Sequence, residues 1–429
     1  MQKTVSKDFK TIRGTAVIPS DKSISHRAVI FSSLARGKSV IKNFSAAQDP
    51  LSSVEICKKL GVEFDFRSDK LIVNATGKLQ STEDICRCYC GNSGTTMRLM
   101  SGILARQNFN SVLTGDESLS SRPMKRIIKP LQLMGAKIAS NNFKAPLKIT
   151  GTELHAVNYN SKLASAQVKS CILLAGLGTD GITSFTEPFV SRNHTEIMLK
   201  SMGAELDINN TTVSIKKSNL NPLNTTIPGD ISSAAYFLAA GLIVPGAKIV
   251  LKNVGLNPTR TGFIDIVLKM GGNLKILDQK EICSEPVGDI QVEYSQLKSC
   301  KISGSIIPKL IDEIPVIAVL ASVANGQTVI SDAQDLRNKE SDRISAVVTE
   351  LKKIGADITE TADGMIINGK PALKGGCSVK THNDHRLAMS LYTAGLITKK
   401  EIVLDGFDWV KISFPDFEKL FDSLKCSQS

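Results

Sequence analysis

The chain is 429 residues long, 42% apolar and 22% charged, with a formal net charge of +12. It is too long for one ordinary core and too apolar for disorder, so two or three globular domains are expected. No apolar run is long enough to span a membrane. The excess of cations calls for an anionic partner. A nucleic acid is disfavoured, because aromatic residues are only 5%, the cations are scattered, and no zinc-finger or RNA-binding motif occurs. What remains is a small molecule bearing phosphates and carboxylates.

The opening segment MQKTVSKDFKTIRG (1–14) has no hydrophobic core region and no small-residue cleavage site, so a mature cytoplasmic chain is expected. PSDKSISHR (19–27) then precedes the apolar run AVIFSSLA (28–35). Ser20 or Asp21 suits a helix cap. Lys22 and Arg27, however, crowd a turn where the helix dipole is already positive, so a negative group is expected there. CRCYC (86–90) places three cysteines on one face of a strand, where they act as small hydrophobes. Neither a disulfide framework nor a metal is expected from this set of nine cysteines.

CGNSGTTMRL (90–99) leads into a helix whose first N–H groups are able to meet an anion. GDESLSSRPMKR (115–126) puts Arg122 before a proline, and ASAQVKS (164–170) opens a helix with Ser165, Gln167 and Lys169. In the second half, KLIDEIPVIAVL (309–320) sets Asp312 and Glu313 against an apolar helix. They read either as a cap or as a general base with a raised pKa. LRNKESDRI (336–344) groups Lys339, Glu340, Asp342 and Arg343, which as a solvated helix face would need no function. HNDHRLAMS (382–390) gathers Asp384, His385 and Arg386 without any zinc-binding spacing.

A repeat runs beneath these motifs. KKLGVEF, LQLMGAKI, LKSMGAEL, LKMGGNL and KKIGADI each read as a helix end, a left-handed glycine cap and a strand start, with glycines at 61, 135, 203, 271 and 355. A second piece, helix then tight turn then alternating strand, recurs six times between residues 34 and 407. The fold class is therefore mixed α/β, built from six copies of a unit of about 70 residues. The sixth copy lacks the Met-Gly-Ala element. Three copies suffice for a domain core, and TTIPGDISSAA (225–235) is the natural boundary.

With these residues in view, the chain resembles the 5-enolpyruvylshikimate-3-phosphate synthase (3-phosphoshikimate 1-carboxyvinyltransferase) family of enolpyruvyl transferases. The resemblance runs from about Val17 to Phe417 through PSDKSISHR, GNSGTTMRL, SSRPMKR, SAQVKSCILLAGL, EPFVSRNHTE, NPTRTG, IDEIPVIAVLA, NKESDRI and NDHRLAMS, in that order. It implies a two-domain inside-out α/β barrel of six βαβαββ-type units. Residues 21–229 would form one domain, residues 1–20 and 230–429 the other, with the active site in the cleft between them and closure driven by ligand.

It also implies transfer of the enolpyruvyl group of phosphoenolpyruvate (PEP) to the 5-hydroxyl of 3-phosphoshikimate, with no cofactor and no metal, by a cytoplasmic monomer. By resemblance, Lys22, Ser23, Arg27, Ser165, Gln167, Asp312 and Lys339 bind 3-phosphoshikimate. Lys22, Gly94, Arg122, Gln167, Arg343 and Arg386 bind PEP, and Arg192 is a further candidate for the 3-phosphate. Asp312 is the base, Glu340 the proton donor, and Lys22 shares in catalysis. Dense positive charge around both ligands is expected. Family members place a PEP-contacting lysine two residues before Phe-Pro, whereas Lys411 stands three before Phe414. With glycine at position 94, sensitivity to glyphosate is expected. The sister family acting on UDP-N-acetylglucosamine carries a reactive cysteine in the loop matching 116–122, and DESLSSR has none.

Overall fold

A computed structural model describes residues 1–426. The chain forms two compact units. One comprises Ser20–Ile227 with Glu281–Glu285, here the central unit; the other comprises Met1–Pro19, Pro228–Lys280 and the chain from Pro286 onward, here the terminal unit.

The central unit holds three four-stranded sheets of one design. In the second of them, Ile85–Tyr89 runs parallel to Asn110–Thr114, which pairs antiparallel with Lys144–Thr150, and that strand pairs antiparallel with Lys137–Asn141. The third sheet repeats the order with Asn158–Asn160, Ile182–Thr186, Thr212–Lys216 and Leu206–Asn209. The first repeats it with Asn224–Thr226, Arg36–Lys42, Lys70–Thr76 and Glu63–Phe66. Its parallel partner thus comes from the far end of the unit.

The same order recurs in the terminal unit. Thr11–Val17 is parallel to Lys248–Gly255, which pairs antiparallel with Glu285–Glu293. Lys301–Ile302, Gln327–Ile330, Met365–Asn368 and Asp357–Glu360 form the next sheet. In the last, Ser378–Lys380 is parallel to Ile402–Asp405, and the antiparallel neighbour is Gln2–Val5 from the start of the chain. The copy that lacks the Met-Gly-Ala element in sequence is therefore completed by another segment.

Two kinds of helix serve these sheets. The second strand of every parallel pair follows an inner helix: Lys22–Leu34, Gly94–Leu104, Ala166–Gly176, Ile231–Ile243, Ile314–Val323 or His385–Gly395. These are buried nearly all round; every residue of Ile231–Ile243 and of His385–Gly395 is buried. Each large apolar side chain so buried contributes roughly 1.5–3 kcal/mol before ordering costs. Small hydroxyls are tolerated within because Ser33, Ser101, Ser170, Ser322 and Ser390 each donate to the carbonyl four residues back. Backbones also approach closely, since a Cβ on Gly102 would lie 2.1 Å from the Cys171 carbonyl oxygen. The outer helices, such as Gln48–Lys59 and Arg343–Lys353, keep one exposed face.

The outer helices end in the repeated glycine. Gly61, Gly135, Gly203, Gly271 and Gly355 all have φ between +80° and +98°, as the sequence predicts. Cys86, Cys88 and Cys90 are buried together, with the Sγ atoms of the first two 3.6 Å apart. A Cβ on Gly61 would meet nothing within 4 Å, so only backbone strain opposes substitution there. Gly61→Ala is expected to lower stability by about 1–2 kcal/mol, read as a shift in the urea midpoint at constant m-value. An unchanged midpoint would contradict the strained-cap reading.

Candidate active site

In the central unit the polar residues singled out by sequence gather at the N-terminal ends of the three inner helices. Asp21 caps the first, accepting from Ile24 N at 2.8 Å. Lys22 stands on the first turn with its Nζ 2.9 Å from Asp49 Oδ2. Part of the negative charge that the sequence demands is thus supplied by the chain itself. Arg27, nearly buried, donates from Nε to Thr195 Oγ1 at 2.7 Å, from Nη2 to Ser170 Oγ at 3.0 Å and from Nη1 to the Ser23 carbonyl at 2.9 Å. It ties Lys22–Leu34 to Ala166–Gly176 and His194–Ser201.

Ser93 caps the second inner helix. Beside it, Arg98 Nη1 donates to Gln167 Oε1 at 2.5 Å, and Gln167 Nε2 donates to Thr95 Oγ1 at 2.9 Å. Arg122 follows the short helix Glu117–Ser121 with extended backbone, as its place before proline requires. Its Nη2 donates to Asn92 Oδ1 at 2.7 Å and Ser118 Oγ at 3.1 Å, and Asn92 in turn donates to Asp116 at 2.7 Å. A Cβ on Gly94 would fall 2.6 Å from Arg98 Nη1 and 3.6 Å from Arg122 Nη1, so the glycine leaves room between two guanidinium groups. Ser165 is the N-cap residue of the third inner helix and makes no side-chain cap bond. Lys169, further along that helix, is withdrawn into a buried ion-pair cluster with Glu187 and Glu196 at 2.8 and 2.6 Å.

The terminal unit brings together Asp312, Lys339, Glu340, Arg343 and Arg386. Asp312 is not a cap: Glu313 is the N-cap residue of Ile314–Val323, without a side-chain cap bond. Asp312 Oδ1 lies 3.4 Å from Lys339 Nζ and 3.3 Å from Arg343 Nη1, and its Oδ2 lies 3.9 Å from Arg386 Nη2. The apolar flank that the sequence suggests is thus replaced by three cations. Lys339–Asp342 is a loop rather than a helix face. It delivers Glu340, whose Oε2 accepts from Arg343 Nη2 at 2.5 Å. Asp384 caps His385–Gly395 and accepts from Arg343 Nε at 2.7 Å.

These buried charges sustain one another. Burial alone disfavours the charged Arg343, but Asp384, Glu340 and Asp312 reverse this and hold its pKa above the ordinary arginine value. Burial likewise opposes ionisation of Asp384, and the guanidinium beside it brings its pKa below the ordinary value. The dense positive charge expected here is interleaved with carboxylates, because a dry guanidinium needs a counter-charge. Sequence reasoning missed Asp49 and Asn92, whose partners lie 27 and 30 residues away and share no local motif. Arg98 lies inside a quoted motif but has no signal of its own until Gln167 is placed beside it. Among the described residues no group of three or more His, Cys, Asp or Glu is arranged to hold a metal ion, and no helix is long and apolar enough to cross a membrane.

The model of the family described as EPSP synthase (3-phosphoshikimate 1-carboxyvinyltransferase) matches residues 7–421. The chain belongs to the EPSP synthase family. A 3-phosphoshikimate 1-carboxyvinyltransferase of Bacillus subtilis is 49% identical over 412 residues, covering 95% of this chain and 96% of its own. An EPSP synthase structure from Acinetobacter baumannii is 40% identical with a TM-score of 0.88, covering 99% of this chain and 98% of its own. The enolpyruvyl transferase NikO from Streptomyces tendae shares the fold at a TM-score of 0.80 and 15% identity, over 99% of this chain and 97% of its own. The fold is thus the inside-out α/β fold of the enolpyruvyl transferases.

His26 shares helix Lys22–Leu34 with Lys22 and Arg27. It is wholly buried, with Nδ1 2.8 Å from Ser53 Oγ, and burial pushes its pKa down to about 3. Below about pH 6.5 the unfolded chain takes up a proton that the folded chain refuses, so stability falls as pH drops from 6.5 towards 3. In His26→Gln that component is absent. Its stability-against-pH slope in this window should be shallower than that of the unsubstituted chain, by at most about 1.4 kcal/mol per pH unit. Parallel slopes would contradict a neutral buried imidazole.

Proposed function

We propose that this chain transfers the enolpyruvyl group of PEP to the 5-hydroxyl of 3-phosphoshikimate, giving 5-enolpyruvylshikimate 3-phosphate and phosphate. The observation that carries the assignment of roles is the bridge made by Arg343. One buried guanidinium touches Asp312 at 3.3 Å and Glu340 at 2.5 Å, so a base and an acid are joined through a single cation. Asp312 accepts the proton of the 5-hydroxyl as its oxygen attacks C2 of PEP. Glu340 protonates C3. The tetrahedral ketal phosphate so formed then collapses: a C3 methyl proton returns to the Glu340 carboxylate, the C2=C3 double bond reforms as the C2–O bond to phosphate breaks, and phosphate leaves with that bonding pair and the proton that Asp312 took up.

Lys22, Ser23, Arg27, Ser165, Gln167 and Lys339 hold 3-phosphoshikimate in this reading, with Asp312 on its reacting hydroxyl. Lys22, Gly94, Arg122, Gln167, Arg343 and Arg386 hold PEP, and Lys22 reaches both. The arginine forks suit bidentate carboxylate and phosphate, while Lys22 acts as a compact charge. Because neither unit carries the full set, residues of both act on one substrate pair in this reading, with closure on 3-phosphoshikimate. The chain works as a cytoplasmic monomer on soluble substrates.

Incubation with PEP and 3-phosphoshikimate should release phosphate, and PEP with UDP-N-acetylglucosamine should release none. The reverse pattern, or no release, would overturn the assignment. Arg386→Ala should raise the KM for PEP severely or abolish turnover, since each charge-assisted bond is worth about 1.5–3 kcal/mol; near-normal kinetics would discredit its role. The enzyme should be sensitive to glyphosate competing with PEP. In Gly94→Ala the added methyl displaces the Arg98 guanidinium, so the inhibition constant should rise by about tenfold or more. An unsubstituted enzyme resistant at millimolar glyphosate with ordinary PEP affinity would contradict the assigned pocket.

A further inference from the structure

Beneath Arg386 lies a set of buried groups that the reaction as described does not use. Glu313 is fully buried, and its Oε1 accepts from the hydroxyl of Ser232. That hydroxyl accepts from Arg260 Nη2 at 2.7 Å, and the same nitrogen donates to Asp230 Oδ1 at 3.0 Å. Ser232 therefore has its lone proton committed to Glu313, and Glu313 is anchored from the side of helix Ile231–Ile243. Its Oε2 has no hydrogen-bond partner, and the buried hydroxyl of Tyr236, on helix Ile231–Ile243, faces Arg386.

Arg386 sits between two carboxylates without bonding closely to either. Nη1 is 3.8 Å from Glu313 Oε1 and Nη2 is 3.9 Å from Asp312 Oδ2. A nearly buried guanidinium beside one free carboxylate would close on it as a pair at about 2.7–2.9 Å. Here closure is prevented on both sides: Glu313 is tethered to Ser232, and Asp312 is also drawn to Lys339 and Arg343. Burial opposes the charge on Arg386, and the carboxylates of Asp312, Glu313 and Asp230 outweigh it and hold its pKa well above the ordinary arginine value.

We propose that Glu313 is a positioning residue which, held by Ser232 and Arg260, balances Asp312 across Arg386 and so keeps that arginine open for the anion of PEP and Asp312 open for the acceptor hydroxyl. This rests on the assignment of Arg386 to PEP and of Asp312 to the base. In Glu313→Gln the counter-charge on one side is lost, Arg386 closes on Asp312, and PEP must break that pair to bind. In Ser232→Ala the tether is lost instead, Glu313 closes on Arg386, and the same competition arises.

The test is steady-state kinetics of phosphate release with PEP and 3-phosphoshikimate, on the full chain. Glu313→Gln should raise the KM for PEP by about tenfold and lower kcat, Glu313→Asp should recover most of the loss, and Ser232→Ala should raise the same KM by a smaller factor. In an Arg386→Lys background, Glu313→Gln should add little, because its effect runs through that guanidinium. An unchanged KM in Glu313→Gln, or effects that multiply in the double variant, would overturn the inference while leaving the reaction intact. If Glu313→Gln does not fold, Ser232→Ala alone decides, and an unsubstituted KM there overturns it. Absence of phosphate release by the unsubstituted enzyme would instead bring down the functional reading with it.

Discussion

A helix buried on every side carries a charge along its length only where a buried counter-charge meets it, as Glu187 and Glu196 meet Lys169, and otherwise at its ends. Six such helices form the cores of the two units, and their N-terminal turns carry or adjoin Lys22, Arg27, Gly94, Gln167, Asp230, Asp312 and Arg386. The N-terminal end also exposes free N–H groups and a positive dipole, which favour anions. Repetition of one βαβαββ-type element thus places three anion-favouring helix starts in each of the two compact units. Polar residues collect where the core architecture leaves room for them.

The same constraint explains why the site is not a field of bare cations. Lysine and arginine beside such ends would repel the dipole and one another, so each is matched by a carboxylate or by neutral acceptors. Lys22 has Asp49, and Arg343 has Asp312, Glu340 and Asp384. Arg27 is held by hydroxyls and a carbonyl. The distances to these partners differ. Arg343 is bonded closely to Asp384 at 2.7 Å, whereas Arg386 stands 3.8 and 3.9 Å from Glu313 and Asp312.

Much of this was legible before any coordinates. The glycine after each outer helix announces a left-handed cap, because few other residues take that conformation without strain, and its recurrence reveals the repeat. The motifs at the inner helix starts are local in sequence, so Lys22, Gly94 and Arg386 were visible there. Counter-charges were not. Asp49 meets Lys22 only through the packing of two helices, and Ser232 meets Glu313 across 81 positions. Asp312 shows the limit most clearly: its neighbours in sequence are apolar, but its neighbours in space are cations brought by two other segments. The sixth sheet was also hidden, since its antiparallel strand, Gln2–Val5, lies at the opposite end of the chain.

Hydrogen–deuterium exchange with and without PEP and 3-phosphoshikimate tests most directly whether the chemistry resides at the inner helix starts. The two ligands together should slow exchange in the first turns of Lys22–Leu34, Gly94–Leu104, Ala166–Gly176, Ile314–Val323 and His385–Gly395 and at the start of Arg343–Lys353, and leave the remainder of the outer helices unaffected. Protection confined to one unit, or appearing at the C-terminal ends of the same helices, would contradict the account.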